Sequence, residues 1–317
     1  MYLQYFQLQK SPFGMTPDPD FLFLTPGHRE ALAGLTYAIL ARKGFLVLTG
    51  DAGTGKTTLL ARVLRYLPAN RVSSSVILNP TLTPAEFLEM TLFGFGISDI
   101  PASKSQRLIQ LHSLLLKAAA ENRVCALVID EAHKLSAEVL EEVRLLGNFE
   151  QSDQKLLQIL LLGQNELAEL LNRAELRQFK QRIATRFSIG PLSAAEVEQY
   201  LRYRWTKAGA SNTLPFTPDA IDRVAWYSKG IPRVINAICD NALLLAFGET
   251  KTTVTAGHVQ QACIDLDLVT AAPVSAPEPV NSQPSVVSPA PVLNSFERYK
   301  TTNQSRLARW AGKLRLA

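Results

Sequence analysis

The stretch GDAGTGKT at residues 50–57 has the spacing G-x-x-x-x-G-K-[ST]. Gly50, Gly53 and Gly55 carry no Cβ, so backbone N–H groups can turn toward a polyphosphate there. A helix opening directly behind the loop adds partial positive charge. Lys56 would bridge the β- and γ-phosphates of ATP, and the Thr57 hydroxyl would hold Mg2+. The expected ATP-binding set is therefore Gly50, Asp51, Ala52, Gly53, Thr54, Gly55, Lys56, Thr57 and Thr58. A second stretch, VIDEAH (128–133), puts Asp130 at the end of an apolar run, where its carboxylate can reach the Mg2+ shell. Glu131 follows it, placed to polarise an attacking water.

Three further positions could complete such a site. LLLGQ (160–164) ends in Gln164, an amide able to position water or contact a γ-phosphate. KQRIATRF (180–187) carries Arg182 and Arg186 four residues apart, which reads as one helix face offering an arginine to a neighbouring site. GIPRVIN (230–236) starts a helix with Arg233, which could reach back to the γ-phosphate. Asn79, closing VILN, is a candidate partner for Glu131. The four histidines show no metal-ligand spacing, and His112 fits a structural apolar face.

The elements that must position these residues are legible in the hydrophobic pattern. GFLVLT (44–49), VSSSVIL (72–78), VCALVID (124–130) and LQILLLG (157–163) read as strands buried on both faces, with RFSIGPL (186–192) as a weaker fifth. Helical stretches such as 57–67 and 105–122 lie between them, so the expected class is α/β, a parallel sheet flanked by helices. Residues 1–192 are assigned to this part. Residues 193–269 contain only helices, with Ser193 and Glu196 as a capping box and Thr217 with Pro218 opening the next helix. Residues 270–295 read as a Pro/Ala/Ser-rich linker of disordered or polyproline-like character. Residues 296–317 read as a basic, amphipathic tail, with Leu307, Trp310 and Leu314 on one face and suited to peripheral membrane contact.

The 317 residues carry a net charge of +5, but residues 271–317 hold six basic against two acidic side chains. The body is therefore nearly neutral, which argues against extensive phosphate-backbone binding. The three cysteines are widely spaced, without a CxxC, and fit buried thiols in a reducing cytoplasm. The N-terminus lacks the layout of a secretory signal, and no run reaches the length of a membrane span.

Together the phosphate loop, IDEAH, the strand-end Gln164, the arginine-bearing segment and the helical lid resemble an AAA+ ATPase of the P-loop class. More narrowly, the chain resembles the ExeA/GspA-type ATPases of general secretion and related pilus systems. YLQYFQLQKSPFGMTPDPDFLFLTPGHREAL, LEEVRLLGNFE (140–150), KLLQILLLGQNEL (155–167) and LRQFKQRI (176–183) carry the likeness, which covers about 1–268. It implies a Mg-dependent ATPase whose nucleotide-dependent self-association energises assembly of a secretion, pilus or polysaccharide-export machine at the inner membrane. It also implies that Pro12 to Pro26 run beside the adenine, that Gln164 is the first sensor and Arg233 the second, and that either Arg182 or Arg186 is the arginine finger. His133 stands where the family has Gln, and Asn165 where it has Pro. The membrane span and periplasmic cell-wall domain of secretion-type members are not expected in this chain.

A DEAH-box helicase would need a second RecA-like domain, where this sequence offers a helical bundle after residue 192. The alternative from another class is a DNA-bound ATP switch of the transposition-regulator type, which shares this AAA+ branch.

Overall fold

A computed structural model describes residues 2–151 and 154–269. The linker and tail readings for 270–317 lie outside the described residues. Five strands, β1 (Phe45–Gly50), β2 (Val72–Ile77), β3 (Val124–Ile129), β4 (Leu157–Gly163) and β5 (Ile183–Ile189), form a parallel sheet in the order β2-β3-β4-β1-β5. Because side chains alternate along a strand, each strand serves two cores. Phe45, Val47, Leu127, Ile129, Ile159 and Leu161 face one way, against α3 (Pro84–Gly94), α4 (Lys104–Ala120) and α5 (Ala137–Leu146). Leu46, Leu48, Ala126, Val128, Leu160 and Leu162 face the other way, against α1 (Pro26–Leu40) and α2 (Lys56–Tyr66). Each fully buried leucine among them contributes about 1.5–3 kcal/mol relative to an exposed one.

Two strands differ from expectation. β2 is an edge strand whose Val72, Ser73, Ser74 and Val76 are only partly buried, and the adjoining Leu78 is exposed. Of its serines, Ser73 and Ser74 are partly exposed and Ser75 is buried. β5 begins at Ile183, three residues before RFSIGPL; Ile183 pairs with Phe45 and Thr185 with Leu46 across a register shift, so Ile183 packs into one core and Phe187 into the other. The helix face expected for Arg182 and Arg186 does not exist. The last helical turn is Arg177–Lys180, Arg182 follows it, and Arg186 lies within the strand.

After β5 the chain is helical: α7 (Ala194–Lys207), α8 (Pro218–Ser228), α9 (Pro232–Gly248) and α10 (Ala256–Asp265), with α6 (Asn165–Leu171) lying earlier, after β4. The Ser193–Glu196 capping box and the Thr217 cap both form. This lid has its own core, built from Leu201, Trp205, Val224, Ile235, Leu243 and Val259. Phe6, Leu8, Phe13 and Phe21 pack into that same core, so the N-terminal segment shares its burial with the lid helices. Among the described residues no helix is long and apolar enough to cross a membrane.

Candidate active site

The carboxyl ends of β1, β3 and β4 meet at one edge of the sheet, where parallel α/β folds place their ligands. The loop after β1 leads into α2 and gathers its side chains around an open cavity of about 520 Å3. Ala52 to Thr58, Glu131, Gln164 and Arg233 all line it. Lys56 is 6% exposed, and its Nζ donates to the carbonyls of Gly50 and Asp51 at 2.9 Å each. Burial pulls this ammonium below its ordinary pKa, and the charges of Glu131, Asp130, Asp51 and Glu166 pull it back up.

Asp130 is 5% exposed and held at both oxygens. Its Oδ2 accepts from Thr57 Oγ1 and its Oδ1 from the Glu131 amide, both at 2.9 Å. Hydroxyl and carboxylate oxygens converge here, the hard donor pair that suits Mg2+. Among the described residues no group of three or more His, Cys, Asp or Glu side chains could hold a metal by itself.

Glu131 adopts a left-handed backbone at φ 53, a conformation that non-glycine residues take at some cost and that clusters at functional sites. Its carboxylate lies 3.5 Å from His133 Nε2 and 3.4 Å from Lys134 Nζ. His133 Nδ1 accepts from the Gln164 amide at 3.4 Å, which ties the ends of β3 and β4 together. Asn165 Nδ2 donates to Asp51 Oδ1 at 2.5 Å, tying α6 to the phosphate loop. Both residues that depart from the family pattern are therefore built into the site.

Arg233 begins α9 beside the loop, and its amide donates to the Gly53 carbonyl at 3.2 Å. Arg182 and Arg186 do not line the cavity. Arg182 donates to Asn148 Oδ1, and Arg186 is exposed on the edge strand. Asn79 accepts from the Thr81 amide, a local turn contact, in place of the expected approach to Glu131.

Several cavity residues escaped the sequence reading. His28 on α1 is 2% exposed, with Nδ1 2.7 Å from Thr25 Oγ1 and Nε2 3.3 Å from the Thr54 carbonyl. Burial holds its imidazole below the ordinary value, so the neutral ring buttresses the phosphate loop. Tyr200, Arg204 and Asn236 also line the cavity, together with residues 14–18 and 21–23 of the Pro12–Pro26 segment that the family likeness placed beside the adenine. A helix-capping Thr25 three residues before His28 was the one local signal. Tyr200, Arg204 and Asn236 are separated from the loop by more than a hundred residues, and only folding joins them.

Comparison with known proteins agrees with this geometry. Residues 40–171 match the family described as AAA domain. Over 270 residues the chain is 39% identical to general secretion pathway protein A of Aeromonas hydrophila, covering 84% of this chain. The chain has the AAA+ P-loop fold and is similar to general secretion pathway protein A over most of its length. It spans about half the length of that relative, 48%. A second relative of this AAA+ chain, the ATP-dependent target DNA activator B of Escherichia phage Mu, is 26% identical over 80% of the chain and 75% of its own length. Among solved structures, Aeropyrum pernix ORC2 (ADPNP–ADP complexes) superposes with a TM-score of 0.62 at 17% identity, covering 81% of this chain and 72% of that one. The Thermotoga maritima RuvB Holliday junction branch migration motor gives 0.52 at 18% identity, covering 80% and 73%. These two likenesses show the fold.

Proposed function

We propose that the chain binds ATP with Mg2+ in this cavity and hydrolyses it to ADP and phosphate. The observation that carries the reading is the convergence of Lys56, the Thr57–Asp130 pair, Glu131, Gln164 and Arg233 on one cavity. Lys56 exchanges its carbonyl partners for phosphate oxygens. Thr57 and Asp130 would hold Mg2+, which supplies charge neutralisation at the phosphates. Glu131 accepts the proton of the attacking water, Gln164 orients that water, and Arg233 binds phosphate from the lid side. Arg182 and Arg186, both away from their own cavity, are suited to serve a neighbouring copy, and either can be the finger.

Nucleotide-dependent self-association then drives assembly of a secretion, pilus or polysaccharide-export machine. The partners are inner-membrane proteins of that machine, met from the cytoplasmic side. The likeness to general secretion pathway protein A supports this reading. The likeness to a phage target DNA activator favours a second one, an ATP switch on duplex DNA. ATP-dependent DNA binding with a steep salt dependence would select the second over the first.

The test of the chemistry is Glu131→Gln. The variant should bind ATP with near-native affinity and turn it over about a hundredfold more slowly or worse. Turnover equal to wild type would show that Glu131 is not the base.

A further inference from the structure

The chain between Pro12 and Phe23 lines the same cavity as the phosphate loop through residues 14–18 and 21–23. Side chains from two different parts of the fold hold this strap. From the lid, Arg204 on α7 donates from Nε to the Pro12 carbonyl and from Nη1 to Tyr200 Oη at 3.0 Å. Its guanidinium lies 5.0 Å from the Phe21 ring centre and 5.5 Å from that of Tyr200. Tyr200 Oη donates to Asn236 Oδ1 at 2.8 Å, and Asn236 Nδ2 donates to the Gly14 carbonyl at 3.4 Å. From α2, behind the phosphate loop, Arg65 pairs with Asp20 at 2.7 Å and Arg62 reaches the Pro19 carbonyl at 3.4 Å.

Arg204 is the unusual member of this set. It is 8% exposed, lines the cavity, and forms no ion pair among the described residues. A buried guanidinium without a carboxylate is costly, and its hydrogen bonds and the faces of Phe21 and Tyr200 offset that cost. Here the fork joins a strap carbonyl to a tyrosine whose own partner, Asn236, grips the strap two residues further on. Backbone N–H and C=O groups of the strap can tell adenine from guanine, because a 6-amino group beside a bare ring nitrogen is replaced by a 6-oxo group beside an N–H. They do so only if the strap is held at one distance from the base, since mismatched polar edges discriminate by being left unpaired.

We infer that Arg204 is a positioning residue that sets the nucleobase preference of the cavity by fixing the strap, with Tyr200 and Asn236 completing its hold. This rests on the ATP reading given above. Lysine cannot replace it, because a point ammonium does not reproduce the planar fork.

The test compares steady-state hydrolysis of ATP and GTP by the full chain, for wild type, Arg204→Lys and Asn236→Ala. Both variants should raise the KM for ATP by about tenfold, change kcat much less, and shrink the ATP-over-GTP ratio of kcat/KM by about tenfold. An unchanged ratio in Asn236→Ala and in Arg204→Lys overturns the assignment, as does an equal fall in kcat for both nucleotides. If Arg204→Lys does not fold, Asn236→Ala with Tyr200→Phe decides by the same ratio. A wild-type chain that hydrolyses neither nucleotide would instead defeat the ATPase reading.

Discussion

Replacing Gly53 by alanine tests how closely the lid sits on the phosphate loop. Gly53 has φ 80, and a Cβ there would lie 2.8 Å from Arg233 Cβ and 3.0 Å from Ile231 Cγ2. The backbone conformation alone costs an alanine about 1–2 kcal/mol. Relieving the overlap adds about 1–3 kcal/mol, because neither contact atom is the free end of a flexible chain. Moving α9 back lengthens the bond from the Arg233 amide to the Gly53 carbonyl, 3.2 Å as it stands. The total, about 2–5 kcal/mol, is expected as weaker nucleotide binding of about thirtyfold or more. Gly55 is the internal control. Its φ is 99, but a Cβ there meets only His28 Nε2, at 3.7 Å, an ordinary contact. Gly55→Ala should therefore show the backbone cost alone, about five- to thirtyfold. Titration with a fluorescent ATP analogue, beside a thermal melt of each variant, reads both numbers. Binding by Gly53→Ala within about threefold of wild type, or Gly55→Ala the weaker of the two, refutes the argument.

Two other outcomes follow from the site. Asp130→Asn and Thr57→Val should each abolish the gain in ATP affinity on adding Mg2+ while leaving metal-free binding nearly unchanged, measured by titration with and without a chelator. A persisting Mg2+ effect in both variants would assign the ion elsewhere. His28 is held below its ordinary value of 6.5 by burial, opposed in part by the Thr54 carbonyl and by Glu196. Its protonation therefore favours the unfolded chain. The stability it contributes is present above the unfolded value and is lost as pH falls through 6.5 toward the folded one. Urea melts between about pH 7.5 and about pH 5 should show this slope in wild type and a shallower one in His28→Gln.

The phosphate loop, the acid pair and Gln164 were readable from sequence because each belongs to one short segment whose spacing is its function. The strands ending in Asp130 and Gln164 were readable too, since buried parallel strands need unbroken apolar runs. The strand at 186–189 was legible, but its start at Ile183 was missed and Arg182 and Arg186 were put on a helix face because four-residue spacing is shared by a helix face and by one side of a strand. Pairing of Val47 with Arg186 decides for the strand, and that is a tertiary fact.

The sequence by itself therefore determined the local segments, a glycine-rich loop, a carboxylate pair at the end of one strand and an amide at the end of the next, because local backbone geometry carries them. Tertiary structure alone decided how the cavity is closed. His28 meets Thr54, Arg204 meets Pro12 and Asn236 meets Gly14 across separations of 26, 192 and 222 residues. No periodicity or motif encodes such contacts. They arise where the N-terminal segment buries Phe6, Phe13 and Phe21 in the lid core, and that burial draws the strap along the cavity.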